Sequence, residues 1–570
     1  MQKNDSSLSL KLLCIALFQG LALLILHQVI EKQFWPFKDS QWLFSFYGFT
    51  LATPSLLLLS LKEDSNKTVF LGAMFAGLIV GFLSYYTGTQ VSPIDSYGSY
   101  DELVPLLTLT LCIALFKALM YIQHFTSKKE NEKISYSRLF KLSWRNFLTL
   151  GSALLFMLCF WGVLLLWGAL FRAIDIKFFQ DLFEEPYFYY PILALANGIG
   201  IVIFRQQSNI IDTLTRIQQA LMKYLLVVLL FVSILFLFTL LFTGLEPLWS
   251  SGGSMLILWM QAILLFFVNA VYQDNPNQRP YPQSIHRFIY IGLALLPIYS
   301  IISAYGLFIR VEQYGWSVSR CWAFLLWGLL ALFSFGYSAS IITKRDNWLF
   351  QLNWINIRMG FVVLLMMVLV NSPLLDFRKI SANSQIQRFE SGLVAWDKID
   401  YGYLARDLAK PGYDALQQFK IEHSENVNLV LKVDAITSMK TEVTQVPQAE
   451  LIATVQVLEG ELPESLKKPI YDVLTQNAWQ LSATNATYLQ PVDLNQDTQM
   501  EYVLITEWGN NNIRFRLFYF EDNEWQDTSF NSNSTLHKRN LVEAVKSRKI
   551  VVKPPKWNTL LIDGIELHVQ

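Results

Sequence analysis

From Leu10 to Leu375 the chain is a succession of apolar stretches, and from Asp376 to Gln570 it has the mixed composition of a soluble domain. A helix rising 1.5 Å per residue needs about 20 apolar residues to cross the roughly 30 Å hydrocarbon core of a bilayer. Eleven stretches approach that length: Leu10–Ile30, Trp42–Leu61, Thr68–Thr87, Leu103–Gln123, Phe147–Phe171, Tyr189–Phe204, Tyr224–Thr243, Gly253–Tyr272, Phe288–Ile309, Cys321–Ile342 and Met359–Leu375. The sixth is short and interrupted by Pro191, Asn197, Gly198 and Gly200, and the last is short too, so counts of ten and twelve stay open. Only 16% of the 570 residues are charged, against about 25% in soluble domains. The fold class that follows is an all-α polytopic membrane bundle over 1–375, then a helical juxtamembrane segment over 376–426 and a soluble α+β domain with an antiparallel sheet over 427–570.

The charges indicate orientation. With the N-terminus in the cytoplasm, the inner segments hold eighteen Lys and Arg residues, densest at Lys128, Lys129, Lys133, Arg138, Lys141 and Arg145. The outer loops hold six: Lys32, Lys38, Arg172, Lys177, Arg310 and Arg320. Basic residues are retained on the cytoplasmic side, so an odd number of crossings exports the C-terminal domain, into the periplasm if the cell is a bacterium. The first span is long for a signal core and has no small-x-small site near Leu26–Ile30, so it reads as a retained helix. Formal net charge is zero, which gives no reason to expect nucleic acid as a partner. All four cysteines lie in apolar spans, consistent with an exported domain that needs no disulfide.

Polar groups inside the bilayer are costly and mark function by default. The eleven stretches contain no Asp or Glu, which weakens a proton-coupled transport reading. Lys117 is the one basic residue well inside a stretch; it reads as a lysine snorkelling to the head groups, the alternative being a substrate or lipid-phosphate contact. His27 and Glu31 share one helix face at the outer end of the first span. Asn197, Gln261 and Asn269 either line a polar cavity or bond between helices. The Gly77–Gly81 pair and its small neighbours in the third span read as a helix-packing ridge. No phosphate-binding loop, His-Glu-x-x-His, Gly-x-Ser-x-Gly or Cys-x-x-Cys occurs, and the six histidines are scattered.

In the last third, Ser384–Ser391, Tyr401–Ala409 and Tyr413–Ile421 have helical spacing, Val427–Glu461 reads as more extended, and Pro463–Asn477 as a helix. Glu501–Trp508 with Ile513–Phe520, and Thr559–Ile562 with Ile565–Val569 around Asp563-Gly564, read as hairpins, with a helix at Leu541–Ser547. Asp493, Asn495, Asp497 and Glu501 carry oxygens at calcium-loop spacing. Thr498 stands where such a turn wants glycine, so an Asx-rich turn without Ca2+ is the competing reading.

Several stretches resemble an uncharacterised bacterial inner-membrane family, the domain-of-unknown-function 4153 proteins. They are Phe18-Gln19-Gly20 with His27, Trp161 to Phe171, Phe178 to Phe183, Arg310 to Trp316 with Arg320, Asn371 to Asp376, and Ile380 to Gln385. The resemblance implies a multi-pass inner-membrane protein with no assigned activity, so no catalytic residues carry over. The Tyr314-Gly315-Trp316 turn reads as an interfacial anchor, or as a ligand gate beside Arg310 and Arg320. The leading functional expectation is a non-catalytic protein whose exported domain contacts an envelope partner. The second is a transporter or lipid-handling protein with a cavity between its helices. A third, an enzyme on lipid-linked substrates, would need acids gathered from Asp95, Asp101, Glu102, Asp175 and Asp181.

Overall fold

The computed structural model describes residues 2–62, 66–94, 96–126, 134–250, 253–272, 280–345, 348–437, 448–475, 484–495, 497–508, 512–521, 524–529, 560–562 and 565–567. The chain divides into two compact units, Met1–Leu416 and Gln417–Gln570.

The first unit is helical: α1 (Gln2–Glu31), α2 (Ser40–Ser60), α3 (Asn66–Thr89), α4 (Ser96–Thr126), α5 (Tyr136–Arg172), α6 (Phe178–Glu184), α7 (Pro186–Gln206), α8 (Ser208–Thr243), α9 (Glu246–Ser250), α10 (Ser254–Val271), α11 (Gln283–Ala294), α12 (Leu296–Tyr314), α13 (Val318–Lys344), α14 (Leu349–Val370), α15 (Phe377–Glu390) and the start of α16 (Ala409–Glu422). Among the described residues ten helices are long and apolar enough to cross a membrane, with α11 and α12 counted as one, and α10 is a shorter apolar helix. Each of the eleven apolar stretches therefore became helix. Their outward faces carry bare hydrophobic side chains such as Phe75, Leu166, Leu241 and Phe242; such surface suits hydrocarbon and not water. The stretch Phe288–Ile309 is broken between α11 and α12, where Pro297 enters the first turn of α12 and supplies no N–H to continue the ladder.

Two cores organise the bundle. Leu12 and Ala16 of α1, Leu56 to Leu59 of α2, Val69 and Ala73 of α3, Leu119 of α4 and Ile201 of α7 form one. Leu226 and Leu230 of α8, Leu258, Leu264 and Val268 of α10, Ile289 and Leu293 of α11, Tyr299 of α12, Tyr337 of α13 and Leu352 and Met359 of α14 form the other. Helix α5 belongs to both, through Ala153 in the first and through Phe140 and Trp144 in the second. Close helix approach depends on missing side chains. At Gly20 of α1, a Cβ would stand 2.7 Å from Ala194 Cβ and 2.9 Å from Pro191 Cα of α7.

After α14, Asp376 caps α15 by accepting from Arg378 N at 2.9 Å and also accepts from the Tyr86 hydroxyl at 2.8 Å. Asn371 and Thr110 bond reciprocally across α14 and α4, at 2.8 and 3.1 Å. Beyond α15 come a π-helical turn, Tyr403–Asp407, and α16.

The second unit holds α17 (Val427–Thr437), α18 (Gln448–Ala453), α19 (Lys467–Thr475) and β1 to β7: Val455–Val457, Thr484–Val492, Glu501–Trp508, Asn512–Glu521, Glu524–Ser529, Leu560–Ile562 and Ile565–Leu567. The region expected to be extended after Val427 begins as helix, because Leu429 and Val433 recur one turn apart and are both fully buried. The five-stranded sheet runs in the order β1-β2-β3-β4-β5, antiparallel from β2 to β5, with β1 added in parallel at the edge. Its core is Leu466, Ile470, Leu489, Leu504 and Phe518. Strands β6 and β7 form a separate hairpin, while Asp563-Gly564 and Leu541–Ser547 lie outside the described residues.

Gly20→Val is expected to lower stability by about 1 to 3 kcal/mol through overpacking against the α7 backbone. Gly162→Val, where a Cβ meets nothing within 4 Å, serves as the control. Thermal unfolding of the purified protein in detergent checks the pair, and equal midpoints would contradict the close approach.

Candidate functional site

The N-terminal turns of α5 create the site. Tyr136, Phe140, Trp144 and Phe147 recur at helical spacing and form an aromatic ladder, with successive ring centroids 6.1, 6.0 and 5.9 Å apart. The opposite faces of the same turns carry Lys141 and Arg145, both exposed. This is an amphipathic helix entry, and it walls a cavity of about 370 Å3. Lys117 and Phe116 of α4, Phe266, Asn269 and Ala270 of α10, Phe333 of α13, and Asn356, Met359, Gly360 and Val363 of α14 complete the lining, with Ser143 of α5. The volume lies in the range of small-molecule sites, roughly 300 to 1,000 Å3. Phe147 and Phe266 are more than half exposed, so these rim residues present apolar faces to the surroundings.

A hydrogen-bonded knot lies beside the apolar walls. Tyr337 donates to Asn269 Oδ1 at 2.7 Å and touches the Asn356 side chain, and Asn356 Nδ2 donates to the same Asn269 oxygen at 2.5 Å. Asn269 Nδ2 turns back to Leu265 O at 2.8 Å. The Tyr136 hydroxyl donates to Asn269 O at 3.3 Å, and the Tyr136 N–H donates to Asn353 Oδ1 at 2.8 Å. Near them, Gln123 of α4 and Asn146 of α5 form a buried reciprocal amide pair at 3.0 and 2.8 Å. Arg205 donates to Leu58 O and Leu61 O at 2.5 and 2.6 Å, satisfying carbonyls at the end of α2. Burial, then Arg145, Arg205 and Arg138, push the nearby Lys62 ammonium below its ordinary pKa.

The other residues singled out in the sequence go elsewhere. Gln261 is buried and donates to Ser300 and Ser334 hydroxyls at 2.6 and 2.5 Å, an interhelical tie. Asn197 lies half-buried on α7 and makes no side-chain hydrogen bond among the described residues. His27 Nε2 is 4.0 Å from Glu31 Oε2, with its ring 5.2 Å from that of Tyr190. Arg310 and Arg320 both face the Tyr314 ring, at 5.9 and 5.4 Å. The turn they flank is clasped by α15: Trp316 N donates to Ser384 Oγ at 2.9 Å, Gln385 Nε2 to Trp316 O at 3.0 Å, and Arg388 to the carbonyls of Glu312 and Gln313 at 3.1 and 2.7 Å. Asp101, Glu102, Asp175 and Asp181 are exposed, and Asp95 lies outside the described residues.

Residues 12–419 match the family described as Domain of unknown function (DUF4153). The chain belongs to the DUF4153 family. The match takes in the bundle, the cavity and the α15 clasp, and it ends before the sheet. No curated protein and no solved structure matches the chain. The stretches that carry the resemblance fall on structural ties within this domain. Gln19 reaches Thr50 O and Ser55 Oγ, each at 3.3 Å, Gly20 admits α7, and the Arg310 to Trp316 turn meets the Ile380 to Gln385 segment.

In the second unit, the Asp493 loop is closed by its own amides. Leu494 N donates to Glu501 Oε2 at 2.7 Å, Asp497 N to Asn495 Oδ1 at 3.1 Å, Thr498 N to Asp493 Oδ2 at 3.2 Å and Gln499 N to Asp497 Oδ1 at 2.7 Å. Asn495 Nδ2 also bonds Asp497 Oδ2 at 2.8 Å. Among the described residues no group of three or more His, Cys, Asp or Glu side chains is placed to hold a metal ion. Thr498 has φ +71, a left-handed conformation costly for a residue with a Cβ. Thr498→Gly should raise the unfolding free energy by about 1 kcal/mol, read by chemical denaturation of the full chain; a destabilised variant would contradict the strain.

Proposed function

We propose that this protein is a lipid-handling membrane protein that takes an amphipathic molecule into the cavity between α4, α5, α10, α13 and α14. One observation carries the reading: aromatic walls and polar groups converge on a single cavity about 370 Å3 in volume, with apolar rim residues exposed. A chain of hydrocarbon can extend from such a rim into the bilayer while a polar group sits beside Asn269, Asn356 and Tyr136. The whole of a phospholipid exceeds the space, so its tails would stay among the neighbouring acyl chains.

The orientation belongs to the same proposal. Residues at the end of α4, the start of α5, the end of α10 and the start of α14 line one cavity, and these ends adjoin the connections richest in Lys and Arg. That pattern supports a cytoplasmic basic end and a cavity in the inner leaflet. Helix α10 measures about 27 Å at 1.5 Å per residue, and its Asn269 bonds Tyr136 at the start of α5. Both favour counting α10 as a crossing. Eleven crossings carry the C-terminal unit out of the cytoplasm, in a bacterium across the inner membrane into the periplasm.

Two measurements test this. A reporter active only outside the cytoplasm should work when fused after Gln570 and fail within 127–137; the opposite pattern at both sites would overturn the orientation. Native mass spectrometry of the full chain, extracted in mild detergent, should find a tightly held lipid. Val363→Phe, which fills the cavity, should deplete that lipid, whereas Gly328→Phe, at a position with nothing within 4 Å, should not. Equal lipid in all three proteins would contradict the assignment of the cavity.

A further inference from the structure

Among the described residues Lys117 is the only charged one lining the cavity, and it forms no hydrogen bond or ion pair with any of them. An ammonium group shielded by apolar walls gives up hydration that must be replaced by an anion or by hydrogen-bond acceptors. Among the described residues neither is in place. The nearest acidic residue along α4 is Glu102, fifteen positions and about 22 Å away, and among the described residues no acidic one lines the cavity. Nor, among the described residues, does any aromatic ring face the ammonium closely enough for a cation–π contact, although Arg358 makes one with Trp354 at 3.4 Å. The amides cannot easily turn to it either, since Asn269 and Asn356 are held by Tyr337 and by each other.

We infer that Lys117 selects anionic phospholipids: its ammonium meets the phosphate of a head group that carries no cation of its own, with the head group inside the cavity and the acyl chains passing between Phe147 and Phe266. This rests on the lipid-handling reading above and deepens it by naming the ligand's charge. The ammonium supplies up to three donors to phosphate oxygens, and the Tyr136 hydroxyl and Ser143 lie on the same lining for the rest of the head group. A phospholipid is favoured over a soluble phosphate ester because the lining is mostly apolar and aromatic, a surface that a water-soluble anion cannot use.

The test uses the full chain in nanodiscs of phosphatidylcholine doped with a photoactivatable lipid carrying its reactive group near the glycerol. Matched probes with a phosphatidylglycerol or a phosphatidylcholine head are compared, and labelled peptides are mapped by mass spectrometry. The wild type should label the Tyr136–Phe147 segment with the anionic probe about tenfold more strongly than with the zwitterionic one. Lys117→Arg should keep that preference. Lys117→Met should lose it while retaining labelling at the zwitterionic level, and its thermal midpoint should be unchanged or raised, because an unpaired charge has been removed from a mostly apolar lining. An undiminished preference in a folded Lys117→Met protein would overturn the inference and leave the cavity reading standing. Absence of labelling at the cavity by either probe in the wild type would overturn both. Millimolar inorganic phosphate should not compete; competition that abolishes labelling would replace the phospholipid by a soluble phosphate and overturn the inference as stated.

Discussion

The shared acceptor at Asn269 Oδ1 is the contact on which the proposed site depends. It receives the Tyr337 hydroxyl and the Asn356 amide while the same residue's backbone carbonyl receives Tyr136, so α5, α10, α13 and α14 meet at one side chain. In hydrocarbon each of those groups would otherwise lack a partner. Individual interhelical hydrogen bonds in membranes contribute only about 0.6 kcal/mol on average, yet removal of a common acceptor strands several donors together. The knot therefore fixes where helices stop approaching one another, and the volume left over beside it is the cavity.

That volume borders the second core, to which Phe140, Trp144 and Met359 of its lining belong. Helix α5 contributes small Ala153 to the first core and large Phe140 and Trp144 to the second. A helix serving two cores cannot close on both along its whole length. Near its N-terminus it leans on α10 through Trp144 and Phe266, whose rings are 6.5 Å apart, and it holds α4 through the Gln123–Asn146 pair. Lys117, six residues before Gln123 on α4, lines the cavity beside these contacts.

Much of this arrangement was legible in the sequence, and the rest failed for identifiable reasons. Length and apolar content sufficed for the helices, because a bilayer span admits few alternatives to a helix. The site was harder. Arg138, Lys141 and Arg145 made residues 134–146 look like an inner connection, and that hid an aromatic face recurring at 136, 140, 144 and 147 within the same turns. A hydropathy window averages the two faces, whereas the 3.6-residue period separates them. Asn269 and Lys117 were visible as unusual intramembrane groups, but the knot beside them depends on partners 68 to 133 residues from Asn269. In the second unit, the Val and Thr content after Val427 suggested strand, and the tertiary burial of Leu429 and Val433 on one face prevailed. Thr498 stands where such a loop wants glycine, and its backbone is left-handed.

The most direct measurement is a cryo-electron-microscopy map of the full chain reconstituted in nanodiscs of its native lipids. The account predicts elongated density entering between Phe147 and Phe266 and ending within hydrogen-bonding distance of Lys117 Nζ, with Asn269, Asn356 and Tyr337 in mutual contact beside it. A cavity closed by its own side chains, or a Lys117 ammonium turned away from it into the surrounding solvent, would contradict the account.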